Sequence, residues 1–404
     1  MSHFLDKNPN IFQNNLLKYE EALTHFKIEN LSQKQIEDLN IPLQPNKDTE
    51  KFENSSIILI RHALSIANFQ HKILDYLKKQ PNTNQDYLDY LQHYYVEERL
   101  NLENVNCRLH YLGIQQCINQ QKYINNIDFQ VVFISPFTRV LQTVEYLFQN
   151  HPKLDQLKFV VIPHISEGMG YTTSIQEDSH KDIQNLKKKL NINIDDSIFQ
   201  QVYDKNYPYF WNYTLLTQPE RKQKAEQIRQ KSKNYEEFLQ NMIEQIKEIS
   251  PEKFENKQGQ YERGNIAREI MKDYLLKNNI MPNKNQKIAI ISHAVFLYCF
   301  NCDRIDGDSY IGGSTPSNAG LLGFENDLIF DHKNHHYQNQ KLQKNQEKNQ
   351  QLQQQQKPQQ DTKPEELDTK QKNQNLSDLE TEIVKQNENI TQQSEQSTSN
   401  SLLN

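Results

Sequence analysis

The chain has few cysteines and no long apolar run, and both absences exclude whole classes of protein. Four cysteines in 404 residues are too few and too scattered for a disulfide framework. Cys299 and Cys302 have the spacing of a zinc-ligand pair, but no second pair accompanies them, so we interpret them as buried small residues. No stretch approaches the ~18 apolar residues of a membrane helix, so we expect no membrane contact.

Targeting signals and an excess of basic residues are also missing. The first residues lack the basic and apolar regions of a secretory signal, and Ser2 stands where N-myristoylation requires a glycine. We therefore expect a cytoplasmic location. The formal net charge is -6, whereas nucleic-acid-binding proteins have an excess of basic residues, so we expect no nucleic-acid partner. An anionic substrate stays possible, because a few arginines can dominate a small cleft.

Polar composition divides the chain into three parts. Residues 333–404 are rich in Gln, Asn, Lys, Glu and Ser, and such a segment cannot bury enough apolar surface to offset its ordering entropy, which predicts a disordered Gln/Asn-rich tail. Residues 1–54 form a polar extension, either a helix lying on the domain or a flexible arm. The remaining residues, 55–332, are predicted to form the globular domain.

Four short apolar stretches, rich in valine and isoleucine, have the length and composition of buried β-strands. They are residues 58–60, 131–134, 159–162 and 288–291. Each is followed within a few residues by a side chain that can bind or transfer a phosphate group. In open parallel sheets, ligands bind outside the carboxyl ends of the strands. We therefore expect these side chains to meet at one edge of a sheet.

The side chains that follow the strands are Arg61, His62, Arg139, Glu167 and His293. Arginine presents a planar fork of donors that matches phosphate oxygens. Histidine can be a nucleophile or a phosphate ligand, and a carboxyl group can protonate a leaving oxygen. Two arginines, two histidines and one carboxylate therefore indicate a site for phosphate chemistry.

Five segments resemble, in order, the sequence motifs of the histidine phosphatase superfamily, also called the phosphoglycerate mutase-like fold. They are residues 61–68, 109–117, 135–144, 165–167 and 292–295. The first keeps Arg-His and Asn68, and the third keeps Ser-Pro, Arg139 and Gln-Thr. The resemblance covers roughly residues 55–330. Each motif alone is weak, but the five in this order are specific.

This resemblance implies the α/β fold of that family, a three-layer sandwich with a mostly parallel central sheet and a helical cap insertion. The domain would carry insertions at 70–105 and 172–286, the second of which would form the cap. The resemblance also implies a metal-independent phosphomonoester hydrolase without a cofactor. Its substrate would be a phosphorylated small molecule or a phosphoprotein.

The same resemblance implies a role for each site residue. His62 would attack phosphorus and form a phosphohistidine, and Glu167 would protonate the leaving alcohol and later activate water. The substrate oxygens would be bound by Arg61, Asn68, Arg139 and His293. No residue is assigned to a metal.

The sequence departs from the family pattern at three positions, and two of these departures, both alanines, together with the long tail, leave an alternative hypothesis open. Ala63 and Ala294 replace the glycines beside both histidines, and Ser166 stands where an arginine is common. A catalytically weak or inactive phosphate-binding or scaffold protein of the same fold is the alternative. Residues 168–171 differ from the Arg-His-Tyr-Gly of mutases, so phosphoglycerate mutase activity is disfavoured. The oligomeric state stays open.

Aromatic residues are concentrated in the two insertions. Tyr87, Tyr90, Tyr94 and Tyr95 in the first predict a helix pair with aromatic core contacts. In the second, the aromatic residues of 207–213 either contact substrate or pack in the core. A single amphipathic helix is predicted near 218–249.

Overall fold

The computed structural model describes residues 21–22, 24–26, 31–44, 54–81, 85, 87–91, 100, 102–249, 252–307, 309–325 and 327–330. The predicted tail and much of the predicted N-terminal extension lie outside these residues, as do Tyr94 and Tyr95. The domain boundaries therefore stay predictions.

Strands and helices alternate along most of the described chain. The strands are β1 (Ile57–Arg61), β2 (Phe129–Ile134), β3 (Lys158–Val161), β4 (Ile194–Asp195), β5 (Lys287–Ser292), β6 (Arg304–Asp306), β7 (Ser309–Ile311) and β8 (Leu321–Phe324). The helices are α1 (Gln33–Asp38), α2 (Ile66–Lys78), α3 (Tyr111–Ile124), α4 (Thr138–Phe148), α5 (Ser179–Leu190), α6 (Ser197–Gln200), α7 (Pro219–Lys231), α8 (Tyr235–Ile249), α9 (Lys257–Lys277), α10 (Ala294–Phe300) and α11 (Asp327–Phe330). Within the described residues, no helix is both long and apolar enough to cross a membrane.

Within the described residues, one sheet contains six strands in the order β4-β3-β2-β5-β1-β8. All neighbouring strands are parallel except β8, which pairs antiparallel with β1 at the sheet edge. The four strands expected from the apolar stretches are β1, β2, β3 and β5, and they lie side by side. Their carboxyl ends therefore share one edge of the sheet.

Both faces of the sheet are covered by helices, because successive strand residues point to opposite faces. Ile58 and Ile60 belong to an apolar cluster with residues of α3, α4 and α5. Ile57 and Leu59 belong to a second cluster with residues of α9 and α10. Burying one such side chain stabilises the fold by about 1.5–3 kcal/mol. The predicted three-layer α/β sandwich with a mostly parallel sheet is confirmed.

The predicted single helix near 218–249 is wrong, because the structure has two helices, α7 and α8, in that stretch. At the end of α7, Ser232 Oγ donates a hydrogen bond to the carbonyl of Ile228 (2.8 Å). Asn234 Oδ1 accepts a hydrogen bond from the backbone N–H of Glu237 (2.9 Å) and so caps the start of α8. The polar residues between the two helices therefore act as stop and start signals.

The aromatic residues of 207–213 pack in the core and do not line the cavity at His62. Trp211 makes edge contacts with the rings of Phe137 (5.8 Å) and Phe199 (5.4 Å). Tyr209 packs on Phe238 of α8 at 4.8 Å between ring centres. Because Phe137 directly precedes α4, this packing joins the helical insertion to the end of β2.

The described part of the N-terminal extension packs against the first insertion. Phe26 and Ile36 share an apolar cluster with Phe69 of α2 and with Tyr87 and Tyr90. The residues that suggested a helix, Phe12, Leu16, Leu17, Tyr19 and Leu23, lie outside the described residues, so the form of the extension as a whole stays a prediction.

Candidate active site

The register of the sheet places the two site histidines next to each other. Arg61, the last residue of β1, pairs with Ser292, the last residue of β5. His62 and His293 therefore follow neighbouring strands, and their ring centres are 5.2 Å apart.

A cavity of about 210 Å³ opens at this edge of the sheet. Of the predicted site residues, Arg61, His62, Asn68, Arg139 and Glu167 line it. His293 is the one predicted site residue that does not, although the next residue, Ala294, does. The structure thus brings five of the six predicted residues to one cavity.

The contacts of His62 determine which ring nitrogen carries a proton. The side chain is 3% exposed, and Nδ1 lies 2.7 Å from the carbonyl oxygen of Ala63. Because a carbonyl oxygen only accepts, Nδ1 carries the proton and Nε2 keeps its lone pair. Arg139 Nε donates to Nε2 at 3.3 Å, which requires the same tautomer. Burial, followed by the charges of Arg139 and Arg61, lowers the pKa of His62 well below 6.5, so the ring is neutral at pH 7.

Arg61 and Arg139 supply the positive charge beside His62. Arg139 is buried, donates from Nη1 to the carbonyl of Thr173 at 2.8 Å, and lies over the ring of Phe137. Burial lowers the pKa of both arginines, yet an arginine stays charged in proteins. Within the described residues, the buried Nε of Arg61 has no hydrogen-bond acceptor. An unpaired buried donor costs about 1–3 kcal/mol, so an anion in the cavity would relieve that cost.

His293 is fully buried beside the cavity. Its Nε2 lies 2.9 Å from Ser135 Oγ, and its ring meets Phe137 edge-on. Burial, followed by the charges of Arg139 and His62, lowers its pKa well below 6.5. Nδ1 has no partner among the described residues. Its expected role as a ligand of phosphate oxygens stays a prediction.

Glu167 lines the cavity on the loop that follows β3. Its Oε1 accepts a hydrogen bond from the backbone N–H of Gly168 at 3.0 Å. The preceding residue, Ser166, is fully buried, and its Oγ accepts a hydrogen bond from the guanidinium of Arg263 on α9.

Arg263 and Glu255 form a buried ion pair that braces this loop. Both side chains are 0% exposed, with Nε to Oε1 at 2.7 Å and Nη2 to Oε2 at 2.8 Å. Arg263 Nη1 also donates to the carbonyls of His164 (2.8 Å) and Ser166 (2.9 Å). Glu255 Oε2 accepts from the backbone N–H of Met169 at 3.1 Å. The pair therefore holds the backbone on both sides of Glu167.

Sequence reasoning missed Arg263 and Glu255 as parts of the site. They lie about 90 residues along the chain from Glu167 and belong to none of the five motifs. The small side chain at position 166, noted as a departure from the family pattern, leaves room for the guanidinium of Arg263.

Asn68 is oriented by two residues, one of which sequence reasoning also missed. Its backbone N–H donates to Ser65 Oγ (3.2 Å), which caps α2. Asn318 Nδ2 donates to Asn68 Oδ1 (3.3 Å) and to the carbonyl of His62 (3.1 Å). With its oxygen engaged in this way, Asn68 keeps its NH₂ group for a ligand.

The second and third sequence motifs hold the loop that follows His62. Thr143 Oγ1 accepts from the N–H of Ala63 at 3.0 Å, and Gln116 Oε1 accepts from the N–H of Leu64 at 3.0 Å. A Cβ at Gly113 would lie 2.2 Å from the carbonyl oxygen of Leu64, so only glycine allows this approach. These motif residues position His62 rather than contact a ligand.

The charges of the cavity fit an anion better than a cation. Arg61, Arg139 and Lys253 bring three positive charges to a lining whose acidic side chain is Glu167. Among the described residues, no group of three or more His, Cys, Asp or Glu side chains could hold a metal ion. Cys299 and Cys302 are buried, and burial raises the pKa of the Cys302 thiol to about 11.

Comparisons with known proteins add little to this picture. No family model matches the chain, and no curated protein matches it. Among solved structures, the chain is similar to the crystal structure of the ecdysone phosphate phosphatase from Bombix mori in complex with tungstate. The two share 13% sequence identity with a TM-score of 0.30, over 66% of this chain and 86% of that chain. A similarity at this level carries no argument about what the chain binds or catalyses.

Proposed function

We propose that the chain is a metal-independent phosphomonoester hydrolase of the histidine phosphatase type, which acts through a phosphohistidine at His62. The observation that carries this proposal is the state of His62. Its Nδ1–H is held by the Ala63 carbonyl, its Nε2 lone pair is free of a proton, and two arginines stand beside it. An imidazole in this state is a nucleophile at neutral pH.

In the first step, the phosphate of the substrate enters between Arg61 and Arg139. Its oxygens accept hydrogen bonds from both guanidinium groups. The hydrogen bond from Arg139 Nε to His62 Nε2 breaks, and Arg139 Nε donates to a phosphate oxygen instead. The freed Nε2 then attacks phosphorus while the bond from phosphorus to the leaving oxygen breaks. The guanidinium groups stabilise the charge of the transferred group, and Glu167 gives its proton to the leaving oxygen.

In the second step, water releases the phosphate. Phosphorylation at Nε2 makes the His62 ring a cation, and the hydrogen bond from Nδ1–H to the Ala63 carbonyl stabilises that charge. Glu167, now a carboxylate, takes a proton from water as the water oxygen attacks phosphorus. The phosphorus–nitrogen bond breaks, and the enzyme returns to its starting state with Glu167 protonated. Asn68 and His293 are the further donors that we assign to the phosphate oxygens.

A turnover assay with an aryl phosphate, in the presence of a chelator and no added metal, tests this proposal. We expect hydrolysis by the full-length chain and its loss in His62→Asn. His180→Asn, a change of the same kind on α5 outside the cavity, is the matched control and should keep full activity. Activity that vanishes in chelator and returns with magnesium or zinc would contradict the proposal.

The alternative is a phosphate-binding protein without turnover. It is supported by the two alanines beside the histidines, since Ala63 is fully buried and Ala294 lines the cavity. Binding of inorganic phosphate by a wild-type chain that shows no turnover of aryl phosphates would favour this alternative.

A further inference from the structure

The cavity at His62 is lined by a lysine that has no role in the proposed reaction. Lys253 lines the same cavity as Arg61 and His62 and lies on the segment between α8 and α9. Its Nζ is 6.0 Å from the centre of the Tyr171 ring, which also lines the cavity. Within the described residues, Lys253 forms no ion pair with a carboxylate.

The stem of Lys253 is held by packing. A Cβ at Gly170 would come within 3.1 Å of Lys253 Cγ, so the chain at 170–171 lies directly against the lysine stem. The ring of Tyr171 favours a cation at this place, although weakly at a partly exposed site. The ammonium group therefore has a limited range of positions at the wall of the cavity.

The charges of the occupied cavity do not balance without a further anion. The lining contains Arg61, Arg139 and Lys253 as cations and Glu167 as the acidic side chain. A phosphomonoester carries close to two negative charges at pH 7, because its second pKa is about 6. These charges match the two arginines. Glu167 must hold a proton to act as the acid, and it then carries no charge. When the substrate is bound, no negative group in this count compensates the charge of Lys253.

We propose that the cavity takes a phosphomonoester whose alcohol part carries a second anionic group, a carboxylate or a phosphate, which Lys253 binds. This inference rests on the proposed function. An ammonium group is a compact charge with three donors and suits either anion. The remaining lining, which includes Gln70, Asn104 and Tyr171, surrounds the body of the substrate.

Binding of phosphonates to the full-length chain tests the subsite apart from catalysis, because the proposed reaction does not cleave a phosphorus–carbon bond. Alkylphosphonates are compared by calorimetry with the carboxyalkylphosphonates of the same chain length, over a series of lengths. A series of bisphosphonates is measured in the same way and tests whether the second anion is a phosphate group. We expect the best dianionic probe to bind about tenfold more tightly than its neutral-tail partner, the factor of one charge-assisted hydrogen bond.

The chain offers a matched pair of lysines for this experiment. Lys257 also lies 6.0 Å from a tyrosine ring centre, that of Tyr310, and is likewise partly buried, but it does not line the cavity. Lys253→Gln should remove the advantage of the second anion. Lys253→Arg should keep most of it, and Lys257→Gln should leave it unchanged.

Equal affinities for the two probe types in the wild-type chain would overturn the subsite, and so would an advantage that survives in Lys253→Gln. A wild-type chain that hydrolyses aryl phosphates but does not discriminate between the probes defeats only this inference. A chain that binds neither probe type and hydrolyses no phosphate ester defeats the proposed function as well.

Discussion

The backbone carbonyl of Ala63 decides the chemistry of His62. It accepts the Nδ1 proton and so leaves Nε2 as the atom that faces Arg139. Burial and the neighbouring arginines keep the ring unprotonated. A neutral histidine beside two cations is costly to protonate, and in the proposed reaction that cost keeps Nε2 available as the nucleophile at neutral pH.

The assignment of Glu167 as the acid predicts a result that depends on the leaving group. Glu167→Gln cannot donate a proton to the leaving oxygen, so it should slow hydrolysis of alkyl phosphates by a factor of about 100 to 10,000. A nitrophenolate leaves without much proton donation, so phosphorylation of His62 by a nitrophenyl ester should suffer much less. The measurement is the burst-phase rate of the first step for both esters.

Arg139→Ala is the comparison for that experiment. In the proposed reaction, the arginine contacts the phosphoryl group, which both esters share, so its loss should slow both alike. Equal impairment of both esters in Glu167→Gln would assign the acid role to another group.

At the scale of elements, helix α9 matters for the site although it contributes nothing to the cavity lining. Arg263 of this helix and Glu255 just before it hold the loop on both sides of Glu167. Arg263 is saturated by buried partners, so it acts as a positioning residue for Glu167.

Arg263→Lys should therefore change the selectivity between esters and not only the stability. A lysine keeps the charge beside Glu255 but loses the fork that reaches the carbonyls of His164 and Ser166. We expect a roughly tenfold fall in the ratio of alkyl to nitrophenyl ester rates, about the effect of one charge-assisted hydrogen bond. Arg268→Lys is the matched control, because Arg268 is a buried arginine of the same helix that bonds the Phe300 carbonyl instead. If the ratio of alkyl to nitrophenyl ester rates is similar in Arg263→Lys and Arg268→Lys, the role of Arg263 is only structural.

The sequence was sufficient to predict four strands, β1, β2, β3 and β5, and the residues that follow them, but not β4, β6, β7 and β8. Buried parallel strands are short apolar runs, and their carboxyl ends meet at one edge, so Arg61, His62, Arg139 and Glu167 could be placed together before the structure was known. The break between α7 and α8 was missed, because the apolar positions that indicated a helix all lie in α8 and no proline or glycine separates α8 from α7.

The supporting residues could not be predicted in the same way. Asn318 contacts Asn68 across 250 positions of sequence, and Arg263 contacts Ser166 across 97. Contacts of this kind depend on tertiary packing and leave no local pattern in a single sequence. The departure at Ser166 was visible, but its partner was not.

At the scale of the whole molecule, the buried histidines predict a loss of stability in mild acid. The pKa values of His62 and His293 are lowered well below 6.5, and burial lowers that of His164 to about 4. Below pH 6.5, the unfolded chain binds protons at these positions and the folded chain does not. As the pH is lowered below 6.5, the free energy of unfolding should therefore decrease by up to about 1.4 kcal/mol per pH unit for each histidine.

Urea unfolding at several pH values between 7.5 and 5 measures this slope. His293→Asn removes one of the groups that contribute to this slope, so its slope should be smaller by up to about 1.4 kcal/mol per pH unit. A wild-type stability that stays constant or rises towards pH 5 would contradict the buried, neutral state of these rings.

The central claim is the covalent intermediate on His62. When the wild-type chain reacts with an aryl phosphate and is quenched in base, mass spectrometry should find one phosphoryl group on His62, stable to alkali and lost in acid. The ³¹P spectrum should assign it to Nε2, because Nδ1 is held by the Ala63 carbonyl. Hydrolysis with no phosphoryl group on His62, or an unchanged phosphoenzyme in His62→Asn, would contradict the mechanism.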